Sequence, residues 1–278
     1  MKKLLVLLAL MSASSVQAKH ELPTNITGLK TPESVIQDKN GNIYISEINE
    51  FDKDGDGQIS KVDKKGNITV FAKGMDDPKG LAMIGSTLYV ADKSKIWAVD
   101  ADGKTKVFID AKAFPKKPQF LNDLETDNLD NLYVTDSGDL KSGGAIYKIT
   151  PDKTLTTVAD SKQAQVLAPN GLLFEGRNNL LSVDFSSGIL YRINLATGSM
   201  TELASGFGGG DGIVKTKSGK VLISDWQNGL INQVSANKAR LIHNGLTSSA
   251  DIALSRDGMY LMVPLMKKGE LVFLPIQK

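Results

Sequence analysis

The sequence contains no cysteine and only two histidines, His20 and His243. Without cysteine there is no disulfide framework, and no thiol follows the amino-terminal leader to carry a lipid anchor. One histidine lies beside the leader and the other on a predicted outer strand. That placement argues against a Ser/His/Asp triad and against His-ligated zinc. Long apolar runs are also missing. The run within Leu4 to Met11 is too short to span a bilayer. Nor does one sign of charge dominate: 33 Lys and Arg stand against 31 Asp and Glu, and two of the lysines fall in the leader. A chain so balanced offers no electrostatic footprint for nucleic acid. No long helical pattern and no low-complexity segment is present.

What is there begins with MKKLLVLLALMSASSVQA. Lys2 and Lys3 form a basic region, Leu4 to Met11 an apolar one, and Val16-Gln17-Ala18 a cleavage site. This reads as a signal peptide spanning residues 1–18, which predicts a periplasmic or secreted protein with no membrane attachment after cleavage. Residues 19–278 remain. Length alone would allow two domains in them, but an internal repeat predicts one.

The repeat is clearest from Gly208 to Trp226. Asp211 precedes a short apolar run, a turn follows at Lys217-Ser218-Gly219, a second apolar run covers Val221 to Ile223, and Asp225 closes the unit. The second strand begins ten residues after the first acid, and the closing acid lies fourteen after it. The same ruler runs from Glu33 to Glu47, Asn122 to Asp136 and Asn170 to Asp184. It runs one residue short from Lys79 to Asp92, and from Ala250 to Pro264 with the closing acid lost. The six copies start 39 to 48 residues apart. Each full copy adds two more short strands bounded by Gly, Asn or Asp turns. Self-similarity at this period predicts an all-β, six-bladed β-propeller with four-stranded antiparallel blades. The last copy supplies only three strands, Asp251 to Ser255, Tyr260 to Pro264 and Glu270 to Ile276. An extended segment within Glu21 to Leu29 is therefore predicted to close the ring as the fourth.

Strand direction brings the ruler residues together. Glu33, Lys79, Asn122, Asn170, Asp211 and Ala250 begin the innermost strands and converge on one face near the axis. The closing acids Glu47, Asp92, Asp136, Asp184 and Asp225 lie on that face but farther out. Such recurrent acids are predicted to accept bonds from loop amides. The axial set of Glu33, Asn122, Asn170 and Asp211 is all oxygen. Two carboxylates and two amide carbonyls suit a hard cation, Ca²⁺ or alternatively Mg²⁺ or Mn²⁺.

At these residues the sequence resembles the family of regucalcin (senescence marker protein), gluconolactonases and luciferin-regenerating enzymes. The likeness rests on Pro32-Glu33, Leu121-Asn122-Asp123, Pro169-Asn170-Gly171-Leu172 and Asp211-Gly212-Ile213, and it covers roughly residues 28 to 278. It implies a six-bladed propeller with an axial divalent metal held by Glu33, Asn170 and Asp211. Asn122 corresponds to an asparagine that binds metal or substrate, and Asp211 to the general base or nucleophile. Implied with these is metal-assisted hydrolysis of a lactone or related ester. Sugar-lactonase members often carry Arg where this chain has Phe120, which argues against a sugar-acid lactone.

Phe120, Phe185, Phe207 and Trp226 are expected on loops of the same face, as the wall of a substrate pocket more apolar than a sugar needs. Lys79 is placed to pair with Glu33, or to orient a substrate oxygen, or else to point outward as a surface lysine. One further motif stands apart. Asp52-Lys53-Asp54-Gly55-Asp56-Gly57-Gln58 matches the start of an EF-hand loop, with strands rather than helices on its flanks. It predicts a structural Ca²⁺ site from Asp52, Asp54, Asp56 and the backbone at Gln58, with Glu47 or Glu50 as further ligands. Asp63, at the twelfth position, lies beyond a strand of about 20 Å and cannot join them. Against the hydrolase stand two other readings. One is a binding propeller of the NHL kind, which Pro78 to Asp92 resembles and which would engage a partner without chemistry. The other is a calcium-binding protein with a degenerate active site.

Overall fold

A computed structural model describes residues 24–276; the leader and the two final residues lie outside this range. Secondary structure is almost entirely strand, with two single-turn 3₁₀ segments, Ala111–Ala113 and Met266–Lys268. The strands form antiparallel meanders in chain order. The first comprises Pro32–Gln37, Ile43–Glu47, Gly57–Val62 and Ile68–Met75, and the next two repeat that order from Pro78–Ile84 and Leu121–Thr126. The meanders starting at Pro169–Gly176 and Gly210–Lys215 count as one eight-stranded sheet. A single parallel bridge, Ser205 with Lys238, joins their outer edges. The last sheet combines Ala253–Leu254, Tyr260–Leu265 and Glu270–Pro275 with Asn25–Thr27 from the start of the chain. The segment expected to complete the last copy does so, pairing Asn25, Ile26 and Thr27 with Val272, Leu271 and Glu270.

Each first strand packs against the first strand of the next unit, and Ala253–Leu254 packs back against Pro32–Gln37. The apolar core lies at the seams between neighbouring units. Tyr44, Ile59 and Met75 meet Leu81 and Val90 at one seam. Ile26, Val35 and Ile45 meet Met262, Leu271 and Phe273 where the chain's two ends join. Alternation along each strand makes this possible, since every sheet buries both faces against its neighbours. The hairpin turns opposite the predicted site are held by Asp and Asn side chains. Asp38 accepts from the Asn40 and Asn42 amides, and Asp63 likewise from Lys65 and Asn67. Asp63 is therefore an ordinary turn residue.

The third strand of the first meander starts at Gly57, where a Cβ would meet Pro78 Cδ at 2.4 Å. One strand boundary differs from the sequence reading. The first strand of the last unit shrinks to Ala253–Leu254. Ahead of it, the amide of Asp251 donates across the seam to Glu33 O at 3.0 Å instead of joining a ladder.

Candidate functional site

In all five full meanders the ladder between the first two strands slips at one place. Pairing jumps from Pro32 to Val35, Pro78 to Leu81, Leu121 to Leu124, Pro169 to Leu172, and Gly210 to Ile213. The two residues skipped each time are the ruler residue and its successor: Glu33-Ser34, Lys79-Gly80, Asn122-Asp123, Asn170-Gly171 and Asp211-Gly212. A bulge of this kind frees residues from the ladder and re-aims their side chains. A hydroxyl just before the closing acid catches the released amide in three units. Ser34 N donates to Ser46 Oγ, Asp123 N to Thr135 Oγ1 and Gly212 N to Ser224 Oγ, at 2.8–2.9 Å.

Glu33, Asn122, Asn170 and Asp211 are all buried at the bulges. Three side-chain oxygens there have no hydrogen-bond partner: Glu33 Oε2, Asn170 Oδ1 and Asp211 Oδ1. Asn122 gives its amide nitrogen to Ser137 Oγ at 3.1 Å, which leaves its carbonyl end for the interior. Buried acceptors are normally satisfied, so a ring of three orphans fits a bound cation. Burial raises the pKa of Glu33 well above the carboxylate range; Asp211 and Asp251 add to the rise and Lys79 opposes it. Asp211 is raised too, by burial and then by Asp251, against a bond from Asn170.

Asp251 was not singled out from the sequence. It follows Ala250, in the copy whose ruler position carries no donor, and so stands one residue past the ruler, as Asp123 does. Its carboxylate accepts from Ser34 Oγ at 2.5 Å, and burial pushes its pKa up to about 7. Reading one residue past the ruler would have found both acids. Asp123 accepts from Leu172 N at 2.6 Å, so it braces the neighbouring strand.

Lys79 is not a surface residue. It is 1% exposed, donates to Asp77 O at 3.0 Å and places its ammonium 4.2 Å from the centre of the Phe120 ring. Burial lowers its pKa, against the pull of Glu33, Asp77 and Asp92. Phe185 and Trp226 lie together, ring centres 6.4 Å apart, with Trp226 resting on Ile48, Ala250 and Met266. Phe207 departs from expectation: it is fully buried in the seam with Val183 and Ile213 and is no part of a pocket wall.

The closing acids serve loop amides. Asp92 accepts from Asp76 N, Asp77 N and Trp97 Nε1, Asp136 from Gln119 N and Phe120 N, and Asp184 from Leu167 N and Ala168 N. Asp136 thereby fixes the backbone of Phe120 beside Lys79. His243 ends the outer strand Lys238–His243.

The acidic loop is arranged differently from an EF-hand. Among the described residues no three His, Cys, Asp or Glu side chains converge as a metal-binding group. Asp54 pairs with Lys93 at 2.7 Å, Asp56 Oδ2 lies 3.7 Å from Lys53 Nζ, and Glu50 pairs with Lys53 at 2.6 Å. Glu47 is occupied by Lys30 N, Ser60 Oγ and the Gln58 side chain. Asp52 has a left-handed backbone, φ 61°. Lysines thus stand beside Asp54 and Asp56. Two buried oxygens in the loop, Asn49 Oδ1 and Asp56 Oδ1, have no partner.

Comparison with known proteins agrees with the all-β architecture. The profile of the SMP-30/gluconolactonase/LRE-like region matches residues 84–246, more than half of the chain, and the chain belongs to that family. No curated protein sequence matches it. Among solved structures, a protein assigned as a gluconolactonase superposes with a TM-score of 0.72 at 14% identity, over 91% of this chain and 92% of that one. A gluconolactonase from Xanthomonas campestris gives 0.71 at 16% identity, covering 90% and 89%. A luciferin-regenerating enzyme gives 0.67 at 16%, covering 86% and 84%. These likenesses show a shared propeller-like fold.

Proposed function

We propose that the protein is an exported, divalent-metal-dependent hydrolase of lactones or related esters. In this reading the four-stranded units are the blades of a six-bladed propeller, formed by residues 19–278 after a signal peptide ends near Ala18. The observation that carries it is the trio of orphaned buried oxygens on Glu33, Asn170 and Asp211, in a member of a family that includes gluconolactonases. Those three residues, with the Asn122 carbonyl, would hold Ca²⁺, or Mg²⁺ or Mn²⁺. Bound there, the ion would supply Lewis-acid polarisation of the ester carbonyl and would favour the ionised forms of Glu33 and Asp211.

The chain's own residues do the rest. Asp211 takes a proton from a water whose oxygen adds to the carbonyl carbon; the ring C–O bond then breaks and the proton passes to the leaving oxygen, giving a hydroxy acid. Alternatively the Asp211 carboxylate attacks the carbonyl carbon directly and the ring C–O bond breaks; the leaving oxygen takes a proton from a water, and the hydroxide so formed cleaves the Asp211 anhydride, releasing the hydroxy acid and restoring the carboxyl group. Lys79, Phe120, Phe185 and Trp226 bound the substrate, and the apolar rings exclude water from the reacting centre. The acidic loop is proposed as a second, structural Ca²⁺ site centred on Asp56 and the Asn49 carbonyl. Occupancy would require Asp54 to release Lys93.

The test uses mature protein, a panel of aliphatic, aromatic and sugar lactones, and calorimetric Ca²⁺ titration. Hydrolysis should vanish with chelator, and Asp211→Ala should lower kcat by at least about a hundredfold. Two ions should bind the wild type and one the variant. Turnover that survives both treatments would sink the axial-metal mechanism. Absence of turnover with every metal would favour a binding propeller instead.

A further inference from the structure

The acidic loop meets the next unit at Gly57, which touches Pro78. Asp56 and Asp77 each come immediately before one of these two touching residues. Asp77 is 4% exposed. Its Oδ2 lies 3.4 Å from the Lys93 ammonium, and the same ammonium bonds Asp54 Oδ1 at 2.7 Å. Two carboxylates from two units therefore face one cation. The bond to Asp54 pushes the pKa of Lys93 up to about 12, so the lysine stays charged. Yet Lys93 leaves much of the neighbourhood unserved. Asp77 Oδ1 has no hydrogen-bond partner, and neither have Asp56 Oδ1 and Asn49 Oδ1. Asn49 gives its amide nitrogen to Asp56 O, which ties those two residues together across the loop. Lys79 does not serve the Asp77 carboxylate, because its ammonium bonds the Asp77 backbone carbonyl. Buried acceptors are normally satisfied. Carboxylates and an amide carbonyl left without donors are ligands for a hard divalent cation, which takes six to eight oxygens where an ammonium has three donors.

We propose that Asp77 is a ligand of the loop's Ca²⁺ site, which is thereby shared between two units, and that Lys93 is a tethered cation competing with the ion for Asp54 and Asp77. Asp54, Asp56 and the Asn49 side-chain carbonyl are the ligands from the loop itself. Because the ion must displace Lys93, the site is weak, in the range of about 10⁻⁴–10⁻³ M typical of extracellular calcium modules. This rests on the acidic-loop reading given above and not on turnover.

Calorimetric Ca²⁺ titration of mature protein carrying Asp211→Ala reads the loop ion apart from the axial one. Adding Lys93→Met should tighten binding roughly tenfold or more, because the competing charge-assisted bond to Asp54 is gone. Adding Asp77→Asn instead should weaken binding by a similar factor. Unchanged affinity in Lys93→Met overturns the competition, and unchanged affinity in Asp77→Asn overturns the shared ligand set; in either case an ion that still binds leaves a site made by the loop alone. No binding by any of these proteins at millimolar Ca²⁺ overturns the loop site as well. Should Asp77→Asn fail to fold, Lys93→Met decides the matter, since its side chain is partly exposed and its loss leaves no buried donor behind. The affinities are read without substrate, so the hydrolase reading and this site fall separately.

Discussion

At the scale of single residues, the interior holds more acid than its protein partners neutralise. Burial pushes Asp251 up to about 7, and burial likewise raises Glu125 to about 7, against bonds from Thr126 and Phe174 amides. The unfolded chain would release these protons near pH 4. The folded, metal-free protein thus binds more protons between about pH 4 and 7. These groups stabilise it fully below that window, and their contribution is lost as pH rises through about 7. Asp38 works the other way: despite its burial, bonds from Asn42 and Asn40 hold it low, so its contribution fails only in acid. Chelated protein should therefore lose melting temperature as pH is raised from 5 to 7, and Asp251→Asn should flatten the slope. A melting temperature that climbs across that interval would show that these carboxyls are ionised throughout.

At the scale of elements, the bulged first strand is the functional unit, and its geometry depends on three glycines at the second bulge place. A Cβ on Gly171 would stand 1.9 Å from Asp211 O, one on Gly80 2.5 Å from Asn122 O, and one on Gly212 2.3 Å from Ile252 N. Each obstacle is backbone of the neighbouring inner strand, which cannot swing aside. Gly171→Ala should cost about 3 kcal/mol or more, lower the melting temperature by roughly 6 °C or more, and displace the strand carrying Asp211. Thermal unfolding together with axial metal binding measures both effects; unchanged values for the two would mean that the strands can part. The ruler residues were legible because a repeated spacing is a one-dimensional signal. The bulge was not, because a slipped register exists only between two strands. That is why Glu33 and Asp211 stood out while Asp251, one position off the ruler, did not. The lysine beside the acidic loop was hidden for a related reason: Lys93 arrives from the neighbouring unit to pair with Asp54.

At the scale of the whole molecule, the first and last strands share one sheet. Ile26 and Leu29 fill the seam with Val35, Leu271 and Phe273. Deleting residues through Leu29 removes both side chains, worth about 3–6 kcal/mol together, and bares the edge of Glu270–Pro275 to other chains. Protein lacking residues 1–29 should melt at a lower temperature than protein lacking residues 1–18 and should aggregate on heating, as seen by calorimetry and light scattering. Equal behaviour would show that the closing strand is dispensable.

Periodicity by itself determined that this chain is all-β, built from recurring units, four of whose six ruler positions carry a side-chain oxygen donor. Repetition of a short apolar pattern leaves few other ways to bury both faces of each sheet. Only the tertiary structure decided that Lys79 lies inside against Phe120 and that Phe207 belongs to a seam. It alone showed that the acidic loop is shared with lysines. Each of these depends on groups far apart in the chain meeting across a seam, where burial and charge act through space.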